Sequence, residues 1–193
     1  MCGEFSGFLP LFHRIDGLLK QKDSVAVAIE GNSAAGKSSL AGLLRSTYSC
    51  NVFSMDDFFL RPAQRTPGRL GEPGGNIDYE RFGEEIIRPL KSGAPFAYMR
   101  YDCRTQELSG PVPVDPSPLN VVEGVYSMHP LFFGAYDIKV FLALGEEEQR
   151  RRLFERDAAL YGRFTNEWIP MENRYFDHYG IREKCDFVFK SGE

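Results

Sequence analysis

Gly31 and Gly36 bracket the run "GNSAAGKSS", and Lys37, Ser38 and Ser39 follow the second glycine. Before this run stands "SVAVAIE", small and β-branched residues that read as a buried strand from Val25 to Ile29. After it comes "LAGLLRSTY", whose spacing is helical and predicts a helix over Lys37 to Tyr48. A buried strand that passes into a helix through a glycine-rich loop restricts the fold to α/β designs with a mostly parallel sheet.

The loop fits the spacing G-x-x-x-x-G-K-[ST]. A loop wrapped around phosphates must aim several backbone N–H groups inward, which favours glycine where a Cβ would clash or φ must be positive. It ends at a helix N-terminus, whose free N–H groups and partial positive charge favour an anion. Gly31, Asn32, Ser33, Ala34, Ala35, Gly36, Lys37, Ser38 and Ser39 are therefore the candidate nucleotide-binding residues. Lys37 is placed to reach the β- and γ-phosphates of ATP, and the Ser38 hydroxyl to ligate Mg²⁺.

The rest of the chain alternates in the same way. "FLPLFHRIDGLLKQK" has helical spacing through Leu11, Phe12, Ile15, Leu18 and Leu19. Asn51 starts a short strand, "LNVVEG" and "DIKVFLAL" read as buried strands, and "CDFVFK" as the last one. Helices are expected over Asp78 to Lys91, over Glu146 to Leu160, and over "NEWIPMENRYFDHYG", there disturbed at Pro170. "FAYMRYD" reads as an excursion strand, and "SGPVPVDPSP" as a proline-rich loop. Phe59 to Asn76, rich in proline, glycine and arginine, shows no periodicity; unstructured stretches of that length in a compact domain are usually functional or disordered. Five apolar core strands imply a parallel sheet covered on both faces, in one domain over 1–193. Within it we expect an N-terminal helix in 1–23, a substrate loop at 59–77 and a lid at 156–165.

Net charge is −4 (23 basic against 27 acidic residues), which argues against nucleic-acid binding by surface charge. Cys2, Cys50, Cys103 and Cys185 are scattered without zinc-ligand spacing, as expected of free thiols in a cytoplasmic protein. The first residues lack the basic and apolar regions of a signal peptide, and no apolar run reaches bilayer length, so no membrane partner is expected. His13, His129 and His178 sit in no ligand pattern and are read as structural, and Trp168, Tyr175 and Phe176 as core.

Phosphoryl transfer also needs a metal-supporting acid and a group that orients the nucleophile. Glu123 ends the strand in "NVVEG", at the edge of a parallel sheet where ligands gather, and is the candidate to support Mg²⁺. Asp56 and Asp57 in "SMDDFF" sit beside Phe58 and Phe59, which suits a pocket with a carboxylate base and aromatic walls. On spacing alone either aspartate fits the base, and a helix cap followed by core aromatics fits equally. Asp78 is a helix cap or a pocket carboxylate. Arg150, Arg151, Arg152, Arg156 and Arg163 lie on or after one helix; Arg150 and Arg151 suit a solvated face balanced by glutamates, whereas Arg156 and Arg163 flank "DAALYG".

Taken in order, these motifs resemble the uridine kinase family, within the group that includes phosphoribulokinase and bacterial pantothenate kinase. The resemblance spans Val25 to about Phe189. "SMDDFF" is similar to its D-x-F-[YF] signature, which implies Asp56 as general base. "GNIDYERF" is similar to its "N-F-D-H-P" segment and implies that Asp78 binds sugar hydroxyls. "YMRYDCRTQ" resembles its substrate hairpin, with Tyr101 and Asp102 in place, and "RRRLFERDAALYGR" its arginine-rich lid. Two positions differ: Gln106 stands where the family's pyrimidine-facing histidine falls, and Phe59 where it has tyrosine. The resemblance implies a kinase using ATP and Mg²⁺. Lys37, Asp56 and Arg156 would be catalytic. Phe59, Asp78, Tyr101, Gln106 and Arg156 would line the acceptor site with Asp56, Ser38 and Glu123 would support the metal, and Arg163 would touch the nucleotide. A nucleoside is the leading acceptor; a sugar, sugar acid or pantothenate-like acid is the alternative, and a nucleotide-binding regulatory module the rival of another class. Homo-oligomerisation stays open.

Overall fold

The computed structural model describes residues 6–190, so Cys2 lies outside the described residues. Five parallel strands form the central sheet in the order β2-β5-β1-β6-β7. They are β1 (Val25–Gly31), β2 (Cys50–Ser54), β5 (Leu119–Glu123), β6 (Ile138–Ala143) and β7 (Phe187–Lys190). A separate antiparallel pair joins β3 (Phe96–Asp102) to β4 (Glu107–Val114).

Strand alternation divides the core in two. Val25, Val27 and Ile29 of β1, with Val121 and Val140, face helices α1 (Leu9–Leu19) and α2 (Lys37–Thr47), where Leu11, Ile15, Leu40 and Leu44 are fully or almost fully buried. Ala28, Phe53, Val122 and Phe141 face the other way, against Phe82, Ile86, Tyr98, Phe132, Tyr175 and Phe176. Burial on both faces is why these strands carry near-continuous apolar runs. A third, smaller cluster of Leu153, Phe164 and Ile169 packs the helices over 146–156 and 161–179 against Ala34 of the glycine-rich loop.

Several segments differ from the sequence expectation. The 59–77 stretch is ordered: Pro62–Gln64 forms a 3₁₀ turn and Pro67–Gly71 a short helix capped by Thr66, whose hydroxyl accepts the Arg69 amide at 3.2 Å. Arg69 fastens the segment from within. Its guanidinium donates to the carbonyls of Gly75 and Ile77 at 3.0 and 2.9 Å, pairs with Glu80, and stacks 3.5 Å from the Tyr79 ring centre. Such local ties have no periodicity, so the pattern does not reveal them.

The expected proline-rich loop is largely strand β4. Pro111 and Pro113 are tolerated because β4 has a single neighbour and so needs only one side of its backbone for pairing. The helix from Glu146 stops at Arg156 rather than Leu160, because the Asp157 carboxylate accepts the amides of Ala159 and Leu160 at 3.0 and 3.1 Å and turns the chain. Helix resumes at Tyr161–Arg163 and continues to Tyr179. Two helical prolines, Pro89 and Pro170, each follow a π turn, at Gly83–Ile87 and Phe164–Trp168. Proline has no N–H and clashes with the carbonyl four residues back, and a wider turn placed there relieves both demands.

Candidate active site

Gly31 closes β1 with φ +139°, and a Cβ there would lie 2.2 Å from the Leu142 carbonyl oxygen on β6. No other residue fits so close to a neighbouring strand. Gly36 opens α2 with φ +92°, a left-handed conformation that turns the amides of the first helical turn toward the loop interior. Ala34 is also left-handed, at φ +64°.

Lys37 is buried beneath this loop. Its ammonium donates to the carbonyls of Gly31 and Asn32 at 2.8 and 2.9 Å. Burial lowers its pKa, opposed by the surrounding carboxylates Glu30, Glu172, Glu123 and Asp56. One face of the loop thus concentrates a cation and open amides, with acids held around it. The Ser38 hydroxyl donates to Glu123 at 3.2 Å. Glu123 is buried at the end of β5, and burial raises its pKa against the pull of Lys37. Serine hydroxyl and carboxylate are hard oxygen donors, the kind that would suit a cation such as Mg²⁺.

β2 pairs with β5 so that Ser54 lies opposite Glu123, which brings Asp56, two residues on, into the electrostatic reach of Lys37 and Glu123. The two aspartates of "MDDFF" separate cleanly. Asp56 is exposed, and its amide is held by the Ser54 hydroxyl at 3.4 Å. Asp57 is half-buried against the hairpin, where it pairs with Arg100 at 3.3 Å and accepts the Tyr98 hydroxyl at 3.2 Å; burial raises its pKa, with Arg100 opposing.

Phe59 and Asp78, two of the residues expected on the acceptor side, pack around this turn. Phe59 bridges to Ile77, and the Asp78 amide donates to the Phe58 carbonyl at 2.7 Å. Asp78 is buried, and both its oxygens are engaged: one caps the helix through the Arg81 amide at 3.1 Å, the other accepts from Gln64 at 2.8 Å. Arg81 crosses from that helix to the carbonyls of Asp57 and Met99, both at 2.6 Å, and lies over the Phe58 ring. It thereby ties turn, helix and hairpin together. Tyr101 is buried, and its hydroxyl accepts from Arg65 at 2.7 Å. Gln106 is exposed at the hairpin tip in a left-handed turn.

The lid arginines divide by partner. Arg150 pairs with Glu146, and Arg151 with Glu148 and Glu155, along the solvated face. Arg152 pairs with Glu148 and reaches the loop itself, donating to the Ala34 carbonyl at 3.3 Å. Arg156 lies over the Phe164 ring at 6.0 Å, and Arg163 over Trp168 at 4.8 Å with Glu167 beside it.

Two buried carboxylates escape the motif reading. Glu30 is fully buried at the end of β1 and accepts the amides of Gly31, Tyr126 and Met128 at 3.1, 3.1 and 3.2 Å and the Tyr175 hydroxyl at 3.1 Å. Burial pushes its pKa up to about 7, with Lys37 pulling the other way. Glu172 accepts the Ser33 amide at 3.1 Å and the Ser33 hydroxyl as well, and burial raises its pKa too. A signal was present for each: Glu30 interrupts an apolar strand, and Glu172 falls on the stripe of Ile169, Tyr175 and Phe176.

No protein-family model matches the chain, and no curated protein matches it. Solved structures do. A possible uridine kinase from Bacillus stearothermophilus superposes with a TM-score of 0.68 at 25% identity, covering 94% of this chain and 100% of its own. The chain has the fold of the uridine kinase-like P-loop kinases. Two more distant structures share this uridine kinase-like fold. One, from Silicibacter sp. TM1040, provisionally named a fructose transport system kinase, gives 0.66 at 21% identity, covering 93% and 98%. The other, the D-glycerate 3-kinase of Cryptococcus neoformans var. grubii, gives 0.62 at 15%, covering 95% and 92%. Their names span a nucleoside, a sugar and a hydroxy acid, so the uridine kinase-like fold alone does not select an acceptor. Among the described residues no helix is long and apolar enough to cross a membrane, and Cys50, Cys103 and Cys185 are free thiols.

Proposed function

We propose that the chain is an ATP-dependent kinase that transfers the γ-phosphoryl group to a hydroxyl of a small molecule. One observation carries this reading: an exposed carboxylate, Asp56, stands across from a phosphate loop whose Lys37, Ser38 and Glu123 already converge. A nucleotide switch has no use for a base at that point. Lys37 would hold the β- and γ-phosphates, and Arg156 and Arg163, exposed on either side of the lid turn, are our candidates for further phosphate contacts. Ser38 and Glu123 would hold Mg²⁺, which when bound offsets phosphate charge. Asp56 would take the acceptor's hydroxyl proton as the acceptor's oxygen bonds to the γ-phosphorus; the bond from that phosphorus to the bridging oxygen of the β-phosphate breaks and ADP leaves.

Phe59, Asp78, Tyr101 and Gln106 are the proposed acceptor wall. The uridine kinase-like resemblance favours a nucleoside. Against it, Gln106 replaces the expected histidine and points its turn to solvent. The test is ADP release from ATP with and without a panel of hydroxyl compounds. Stimulation by one of them is expected; ATP binding with no stimulation by any hydroxyl compound would favour the regulatory module.

A further inference from the structure

Two arginines beside the proposed acceptor wall, Arg61 and Arg65, are held by neutral partners and not by carboxylates. Arginines elsewhere on the surface are widely paired: Arg69 with Glu80, Arg88 with Glu84, Arg100 with Asp57, Arg104 with Asp102, and the lid arginines 150, 151, 152 and 163 with glutamates. Among the described residues Arg61 and Arg65 have no carboxylate partner, as is also true of Arg14, Arg45, Arg156, Arg174 and Arg182, but these two alone of that set lie in the 59–77 segment. Both are nevertheless held in place by neutral acceptors. Arg61 donates from its Nε to the Gln64 side-chain oxygen at 3.0 Å, and Gln64 in turn donates to Asp78. Arg65 donates from its Nε to the Leu60 carbonyl at 3.0 Å and from one Nη to the Tyr101 hydroxyl at 2.7 Å. These bonds leave guanidinium N–H groups of both residues unspent.

Their surroundings add to the charge. Burial lowers the pKa of Arg81, which lies over the Phe58 ring, and the charge of Arg61 adds to that lowering. Arg65 is bonded to Tyr101 of strand β3 in the β3–β4 hairpin, the same strand whose Tyr98 hydroxyl donates to Asp57, the neighbour of the proposed base. Arg69, the third arginine of the segment, is consumed in holding the loop together. Two oriented forks without a carboxylate partner, bonded to the proposed acceptor wall at Tyr101 and, through Gln64, at Asp78, are what recognition of a planar or tetrahedral oxyanion requires.

Resting on the kinase reading above, we propose that the acceptor is itself anionic: a hydroxylated compound whose carboxylate or phosphate monoester sits between Arg61 and Arg65 while its hydroxyl faces Asp56. The γ-phosphoryl group passes to that hydroxyl, its proton passes to Asp56, and the anionic group takes no part in bond making. Arg61 and Arg65 thus determine specificity, and the neutral nucleoside is disfavoured because it would leave both forks unmatched.

The experiment measures ADP release in three arms: a hydroxy acid (D-glycerate), a sugar phosphate (ribose 5-phosphate), and neutral acceptors (uridine, ribose, fructose). We expect kcat/KM in one anionic arm to exceed every neutral acceptor by at least about tenfold, and the arm that responds identifies the oxyanion. Arg61→Ala and Arg65→Ala should each raise KM for that acceptor by about ten- to a hundredfold, the scale of a lost charged hydrogen bond, and more than they lower kcat. Arg65→Lys should restore only part. Preferred turnover of a neutral acceptor, or an anionic KM unmoved by both alanine variants, overturns the proposal. A second measurement covers a panel without turnover. With a non-hydrolysable ATP analogue saturating the phosphate loop, glycerate or ribose 5-phosphate should raise the Tm of the wild type more than that of the Arg61→Ala/Arg65→Ala double variant. Equal Tm responses overturn the proposal. Failure of the kinase reading looks different: the ATP analogue would still give a Tm shift that Lys37→Ala abolishes, but no hydroxyl compound, anionic or neutral, would release ADP or shift the Tm further.

Discussion

Glu172 accepts the Ser33 amide at 3.1 Å and occupies, with a carboxylate, one of the loop N–H groups that a phosphate would otherwise approach. The helix after the lid therefore touches the phosphate loop through a like-charged surrogate of its ligand. Glu172 also lies in the field of Lys37. Replacing it with glutamine keeps an acceptor for the amide and removes the charge. Glu172→Gln should bind ATP several-fold more tightly at low salt, with the gain shrinking as salt is added, the scale of one partly screened charge. Calorimetric titration decides it; weaker binding would show that the carboxylate organises the loop rather than competing for it.

Lys37→Ala should lower ATP turnover by at least about 10²-fold, because a preorganised cation at the transferring phosphate acts mainly in the transition state. Binding of a non-hydrolysable analogue should weaken as well. An unchanged rate with the true acceptor would refute the phosphate-loop assignment.

Asp56→Asn should slow turnover by about 10²–10⁴-fold with ATP affinity little altered, the usual scale for loss of a general base. Asp57→Asn should behave differently, since Asp57 is engaged by Arg100 and Tyr98. Its expected effect is a lower Tm and a loosened hairpin, with a smaller kinetic penalty. The opposite ranking in single-turnover kinetics would make Asp57 the base.

Asp78→Ala removes a cap and the anchor of Gln64, so stability should fall by about 0.5–2 kcal/mol. If Asp78 also reads an acceptor hydroxyl, kcat/KM should fall by a further ten- to hundredfold for the full acceptor and by less for its deoxy analogue. Equal penalties for both acceptors would leave Asp78 as a cap alone.

Glu30 gives a pH signature. Its pKa stands near 7 in the folded chain against an ordinary 4.5, so between those values the folded state holds the extra proton. This contribution to stability is fully present below about pH 4.5 and is lost as pH rises through about 7. Glu30→Gln should flatten that part of the stability–pH curve, though its misplaced amide hydrogens lower the curve as a whole. Chemical denaturation at pH 5, 6, 7 and 8 checks it; an unchanged slope would show that Glu30 does not titrate there.

The sheet and the phosphate loop were legible because both rest on short-range rules: apolar runs for buried strands, and glycines where backbone approaches backbone, as Gly31 does to Leu142. The order within the 59–77 segment was not legible, because it depends on one side chain, Arg69, reaching Gly75, Ile77 and Glu80. Strand β4 was hidden by its prolines, which an edge position permits. The lid helix was drawn too long because Asp157 ends it through its own side chain, not through glycine or proline. Glu30 and Glu172 went unread because a motif names the residues that meet a ligand and passes over those that hold the motif in shape.

Apart from Asp78, which caps the helix that follows, the residues proposed to read the acceptor lie in two inserts, the 59–77 segment and the β3–β4 hairpin, both outside the five-stranded sheet. The phosphate loop instead springs from the central strand and is locked to its neighbour. Drift in the inserts therefore leaves the catalytic grip on the nucleotide largely intact, and a chain of this build can change clientele without being refolded. Exchanging both inserts together between such chains should carry acceptor preference with them. Exchanging one alone should not, because Arg65 on the first insert completes its geometry on Tyr101 of the second.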